Sequence, residues 1–207
     1  MSGAGSSAEG WARQLRADAR RGVWRRVLSM LGITAHTRRA DAQAADCDAG
    51  AKGEQMTAAL LAPLALAGWT VLHDRAIPGA RKANADHVVV SPGARVFLVD
   101  SKLWSAKTGL VRVEGGRLWH GRRYADKAVD SLLFEQVMVS RALRAPVQPV
   151  VVVHNAVVAG GGFKVREVPV VPASRLVELL RANDEPVNPG ALWLAQTAAA
   201  VLPPYGG

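Results

Sequence analysis

Apolar positions recur along this chain with two different periods, and the alternation between them sets out its elements. Glu54, Met56, Leu60, Leu61, Leu64 and Leu66 fall at helical spacing up to Gly68, where glycine suits a left-handed cap, and Pro63 predicts a kink or a break inside that helix. Trp69 to Asp74 reads as a first strand. Val-rich runs on either side of Ser91-Pro92-Gly93 read as two strands joined by a short connection. Leu110 to Glu114 and Arg117 to His120, around Gly115-Gly116, read as a smaller hairpin. Between Tyr124 and Leu143, Ala128, Leu132, Val139 and Leu143 form one stripe, with Val129, Leu133 and Gln136 one step round, which predicts a long helix. Val147 to Val153 is apolar throughout, the signature of a parallel strand buried on both faces.

Beyond that strand the pattern weakens. Gly160-Gly161-Gly162 reads as a loop, Val165 to Val171 as a strand that Pro169 pushes to an edge, and Ser174 to Leu180 as a short helix with a serine cap. Asn188 to Leu202 reads as a last helix closed by Pro203-Pro204. The order α, β, β, β, α, β predicts an α/β fold with a central mixed sheet flanked by helices. No internal repeat interrupts it.

Composition limits the class without naming it. The 207 residues suit one domain with extensions, and 49% hydrophobic with 21% charged is a globular balance. Ala58 to Ala67 and Val147 to Val153 are too short to span a bilayer, for which roughly 18 apolar residues are needed. The first residues lack the basic and apolar regions of a secretory signal, so a cytoplasmic protein is expected. Cys47 is the only cysteine, which leaves no internal disulfide and no cysteine-based zinc site.

Charge changes the picture more. A net charge of +9 and a pI near 10.6 favour encounter with a polyanion. Between Trp11 and Ala40 stand Arg13, Arg16, Arg20, Arg21, Arg25, Arg26, Arg38 and Arg39 against the single acid Asp18. Trp11, Leu15, Trp24, Val27, Leu28 and Leu31 recur among them at mostly helical spacing, predicting one or two short amphipathic basic helices. Such helices pack on the domain, lie on nucleic-acid phosphates or rest on an anionic membrane. Residues 40–50 read as a helical or loose connector.

The chemistry gathers at the first hairpin. In Asn84-Ala85-Asp86-His87-Val88-Val89-Val90 and Val96-Phe97-Leu98-Val99-Asp100-Ser101-Lys102, strand alternation puts Asp100 and Lys102 on one face, with the Ser101 carbonyl between them. An odd loop brings Asp86 opposite or diagonal to Asp100. Two carboxylates held close raise each other's pKa unless a cation lies between them, and a hard divalent ion, Mg²⁺ above all, suits such oxygen ligands. Lys102 would then orient a water or hold phosphate charge. His87, on the opposite face, reads as a packed histidine, and His73-Asp74 as the shape of a turn.

This arrangement of an acid, a hairpin and Asp-x-Lys resembles the PD-(D/E)XK nuclease superfamily. With Gly53-Glu54 opening a helix, Gly68 to Asp74 leading into a strand, and Leu103-Trp104 after the motif, it resembles the nuclease-related domain (NERD) family within it, over roughly Gly50 to Leu143. Ala85 stands where a proline is expected before the first acid. The resemblance implies a restriction-endonuclease-like core at residues 49–158, after an Arg-rich extension at 1–48 and before a C-terminal elaboration packed on the core at 159–207. It implies metal-dependent hydrolysis of phosphodiester bonds, with DNA the expected polymer, Mg²⁺ the cofactor and Mn²⁺ its substitute. Asp86, Asp100 and the Ser101 carbonyl would hold the ion, Glu54 would add a third carboxylate directly or through water, Lys102 would act on the water, and Gln136 would support the site. Lys52, Arg81, Lys82, Lys107, Arg122 and Arg123 are the expected phosphate contacts, which fix register without reading bases.

Blander readings stand beside these. Asp86 and Lys102 suit an ordinary ion pair at a sheet edge, an acid at a helix start complements the helix dipole whatever its function, and surface arginines and lysines are usually solvated. A nucleic-acid-binding or scaffold module with the nuclease fold and little catalysis is the competing function, and a membrane-associated protein is a third. The sequence leaves a homodimer open.

Overall fold

A computed structural model describes residues 35–80 and 83–206, with side chains from residue 48 onward. The arginine-rich helices expected between Trp11 and Leu31, and Arg81 and Lys82, lie outside the described residues. Helix α1 (Ala35–Leu66) is followed by β1 (Thr70–Ala76), β2 (Asn84–Val90) and β3 (Val96–Leu103). A small antiparallel sheet, β4 (Val111–Glu114), β5 (Arg117–His120) and β6 (Arg123–Tyr124), precedes α2 (Asp126–Leu143) and β7 (Val147–His154). Then come β8 (Phe163–Val165), β9 (Val168–Pro172), α3 (Leu176–Ala182) and α4 (Ala191–Val201).

The main sheet runs β1-β2-β3-β7-β9-β8, antiparallel through β1, β2 and β3 and parallel from β3 through β7 to β9. This is the α/β core the sequence predicts, with β7 buried between two parallel neighbours. Its two faces carry separate cores. Leu61 and Leu64 of α1 and Leu176 and Leu180 of α3 pack with Val89, Phe97, Val99, Val150 and Val152. Val129, Leu132, Val139 and Leu143 of α2, with Leu194 and Ala198 of α4, pack with Val88, Val90, Leu98, Val151 and Val153. Odd and even positions of β2 and β3 therefore look at different helices.

Several boundaries move. Helix α1 already runs through residues 40–50 and continues past Pro63 to Leu66, with Gly68 at φ +82° in the turn that follows. The expected strand at 165–171 is a hairpin, turned by Arg166 and Glu167 at positive φ. Its edge is β8, while β9, carrying Pro169, pairs on both sides. Pro169 itself is matched with Lys164 of β8, and the ladder to β7 begins only at Val170, so its missing N–H removes no bond on that side. Ser174 does not cap α3: it lies in a 3-10 turn, Ala173–Arg175, ahead of that helix.

The C-terminal residues close onto the first strands. Asn188 N donates to the Pro92 carbonyl and Gly93 N to Asp184 Oδ1, so the turn between β2 and β3 is seated on residues 184–188. Ala76 N donates to the Pro203 carbonyl, Tyr205 N to the Asp74 carbonyl, and Arg75 Nε to the Leu202 carbonyl at 2.6 Å.

Candidate active site

Strands β2 and β3 pair from Val90↔Val96 to His87↔Val99, and the ladder stops there. The next residues in register are Asp86 and Asp100. Where the strands part, the Asp86 carboxylate takes the place of a ladder bond, its Oδ2 accepting the Ser101 backbone N–H at 2.8 Å. A strand residue sends its N–H and C=O to the same edge, so the Ser101 carbonyl leaves toward Asp86 as well. Lys102 Nζ donates to Asp100 Oδ1 at 2.7 Å. The Lys102 side chain keeps 28% of its surface and that of Asp100 12%, which puts the pair at the bottom of a depression open to solvent. Asp100 Oδ2 is buried and accepts no hydrogen bond.

Helix α2 adds an acid to this volume. Burial first, then the charges of Asp100 and Asp86, push the Glu135 carboxyl up to about 8. Asp86 is pushed up to about 7, by burial and then Asp100, with Lys102 and the Ser101 N–H pulling the other way. Asp74, whose neighbours His73 and Arg75 pair with His87 and Ala85, stands opposite Asp86 on β1 and adds a smaller push. Burial works against the Lys102 charge, yet Asp100 and Asp86 outweigh it and hold the ammonium above its ordinary range. The result is a lysine fixed as a cation beside two acids, Asp86 and Glu135, that hold their protons more tightly than usual.

On the other face lies a chain of buried polar groups. His73 Nδ1 and His87 Nδ1 are 2.8 Å apart, His87 Nε2 lies 3.2 Å from Ser101 Oγ, Ser101 Oγ donates to Thr57 Oγ1 at 2.8 Å, and Thr57 Oγ1 lies 2.7 Å from His154 Nε2. Burial, then His73 and His154, lowers the His87 pKa to about 3, so the ring is neutral at ordinary pH. This chain ties Ser101, whose N–H holds Asp86, to α1 and β7. His87 is thus the packed histidine expected, whereas His73 lies within β1 and does not shape a turn.

The remaining predicted residues can be placed one by one. Glu54 is buried on α1 one turn before Thr57, where the helix meets the end of β3: a Cβ on Gly53 would lie 3.3 Å from Leu103 Cβ and N. Lys52 is exposed just ahead of it, Lys107 on the 3-10 turn after β3, and Arg122 and Arg123 where β5 turns into β6. Gln136 faces away from the acids, its Nε2 donating to the Val147 carbonyl at 3.1 Å. Glu135 was missed, although a signal existed: it falls on the stripe between Leu132 and Val139, an acid at a position whose neighbours are buried and apolar.

Among the described residues, no group of three or more His, Cys, Asp or Glu side chains is arranged to hold a metal ion. The site instead offers two facing carboxylates, an unmatched Asp100 Oδ2 and a backbone carbonyl. That donor set fits Mg²⁺, which commonly takes one or two carboxylates and fills its remaining positions with water and phosphate.

A mixed sheet in this order, with two acids at the parting of a hairpin and a lysine two residues beyond the second, defines the PD-(D/E)XK class, the restriction-endonuclease-like nucleases. The nuclease-related domain family matches residues 49–158, more than half of the chain, and the chain belongs to that family. No curated protein and no solved structure matches it. Among the described residues, no helix is long and apolar enough to cross a membrane.

Proposed function

We propose that this chain is a Mg²⁺-dependent nuclease that hydrolyses phosphodiester bonds of DNA. The observation that carries the reading is the facing of Asp86 and Asp100 across β2 and β3 with Lys102 bonded to the second acid. In this reading Asp86, Asp100 and the Ser101 carbonyl would hold Mg²⁺, or Mn²⁺ in its place, and Glu54 would reach it from α1 through a water. A cation held there would supply polarisation of the scissile phosphate and a lowered pKa for a bound water. Lys102, kept charged by its neighbours, orients the attacking water and offsets negative charge growing on the phosphoryl oxygens. Glu135, its carboxyl raised by burial and by Asp100 and Asp86, would give up its proton with a cation bound and serve as a further acceptor. Lys52, Lys107, Arg122 and Arg123, with Arg81 and Lys82, contact flanking phosphates.

The test is cleavage of supercoiled plasmid and labelled single-stranded DNA with Mg²⁺, Mn²⁺ or chelator, beside Asp100→Ala and Lys102→Ala. Metal-dependent cutting, reduced by about 100-fold or more in both variants, is expected. Cutting that survives in Lys102→Ala, or that chelator leaves untouched, would refute the assignment. A wild type that binds DNA in a salt-sensitive way and cuts nothing with any metal would be a binding module.

A further inference from the structure

Beside Lys102 opens a cleft of about 550 Å³, walled by the small β4-β5-β6 sheet, the loop after β3 and the start of α2. The volume lies within the roughly 300–1,000 Å³ range of small-ligand sites. Trp104 and His120 line it as a stacked pair, ring centroids 5.0 Å apart and planes 13° from parallel. His120 is buried and its Nε2–H donates to the Ser105 carbonyl at 3.0 Å, so Trp104 is the ring that keeps exposed surface, on a fixed support. Arg123 and Lys127, both exposed, stand across the same cleft. The first turn of α2 also faces it at Ala125, which supplies no side-chain cap to the helix N–H groups.

We propose that this cleft seats one unpaired nucleotide next to the scissile phosphate, its base stacked on Trp104 and its phosphate held between Arg123 and Lys127. The inference rests on the nuclease reading and gives it a substrate class, single-stranded or locally unwound polynucleotide. A flat aromatic face accepts any base, and flanking cations follow the backbone, so the pairing selects for strand state and not for sequence. In a duplex, the bases are already stacked on one another. The cleft opens at Lys102, whose Nζ reaches Asp100, so a nucleotide held there continues directly into the volume between the acids.

The experiment is equilibrium binding in EDTA, without cleavage, of a short labelled oligothymidylate and a duplex of equal length to the full chain, to Trp104→Leu and to Arg123→Ala/Lys127→Ala. Trp104→Leu is expected to weaken single-strand binding by about tenfold and duplex binding by less than about twofold. The double variant alters exposed side chains only, so it tests the site even if Trp104→Leu misfolds. It is expected to weaken single-strand binding and to flatten its salt dependence. Equal losses for both strand types, or no loss in either variant, would overturn the proposal. A wild type that binds single strands through Trp104 yet cuts nothing with Mg²⁺ would retire the nuclease reading alone. One that cuts duplex while both variants bind single strands unchanged would retire the cleft alone.

Discussion

A carboxyl group that is buried, and then set beside other acids, keeps its proton to higher pH, and Glu135 and Asp86 both hold protons far above the ordinary carboxylate range. Their pKa values are higher folded than unfolded, so in chelator the folded state loses stability as pH rises from about 4 to about 8. His87 has the opposite sign, since its lowered pKa removes stability as pH falls below 6.5. Above pH 6.5, only the acids act. In EDTA, Glu135→Gln is therefore expected to melt higher than the wild type at pH 8.5, by about 2 °C or more, with a smaller difference at pH 5. Thermal melts at the two pH values check this, and a difference independent of pH would mean that Glu135 is not pressed by its neighbours. At this scale Asp86, Asp100 and Lys102 were legible because strand alternation alone puts them together. Glu135 was obscured by Gln136, the adjacent polar residue, which a turn of about 100° carries away to the Val147 carbonyl.

The elements are held against each other by one close approach and one buried chain of polar groups. Gly53 lets α1 lie against Leu103, whose backbone is fixed by pairing with His154. Four residues on, Thr57 then reaches Ser101 and His154. Gly53→Val would force α1 outward from a strand that cannot yield, and is expected to cost about 1–3 kcal/mol in denaturant unfolding. It should also lower cleavage more than melting alone explains, because Ser101 loses its support under Asp86. Unchanged stability would show that the helix has room. The first hairpin was readable from its valines and the Pro-Gly turn. The hairpin at 163–172 was not, since its turn residues, Arg166 and Glu167, adopt positive φ without glycine or asparagine to signal it. Of the kink or break that Pro63 offered, the break does not occur: α1 continues past it for another three residues.

For the whole molecule, the span matched by the nuclease-related domain family ends before the fold does. Strand β9, which pairs with the central β7, and Leu176, Leu180, Leu194 and Ala198, which complete the two cores, all lie after Val158. A chain ended at Val158 would leave the β7 edge without its β9 partner, strip part of the helical cover from each face of the sheet and uncover the turn at Pro92-Gly93. It is expected to show no cooperative unfolding transition by circular dichroism, where the full chain shows one. A cooperative melt in the shortened chain would mean that the matched span folds alone. The sequence identified this region as an addition packed on the core and offered one strand at its edge, but not that β9 pairs on both sides, because Pro169 reads as an edge residue and the turn at Arg166 and Glu167 carries no glycine.

The last residues have a different consequence. By meeting outer backbone groups of β1 and the Arg75 side chain, Leu202 to Tyr205 cover the β1 rim of the sheet. An uncovered strand rim is a template for another chain, and self-association through it grows without limit. The tail thus lets a domain built on an open sheet keep its β1 edge to itself, and losing a few terminal residues would endanger solubility before it touched the acids at the hairpin.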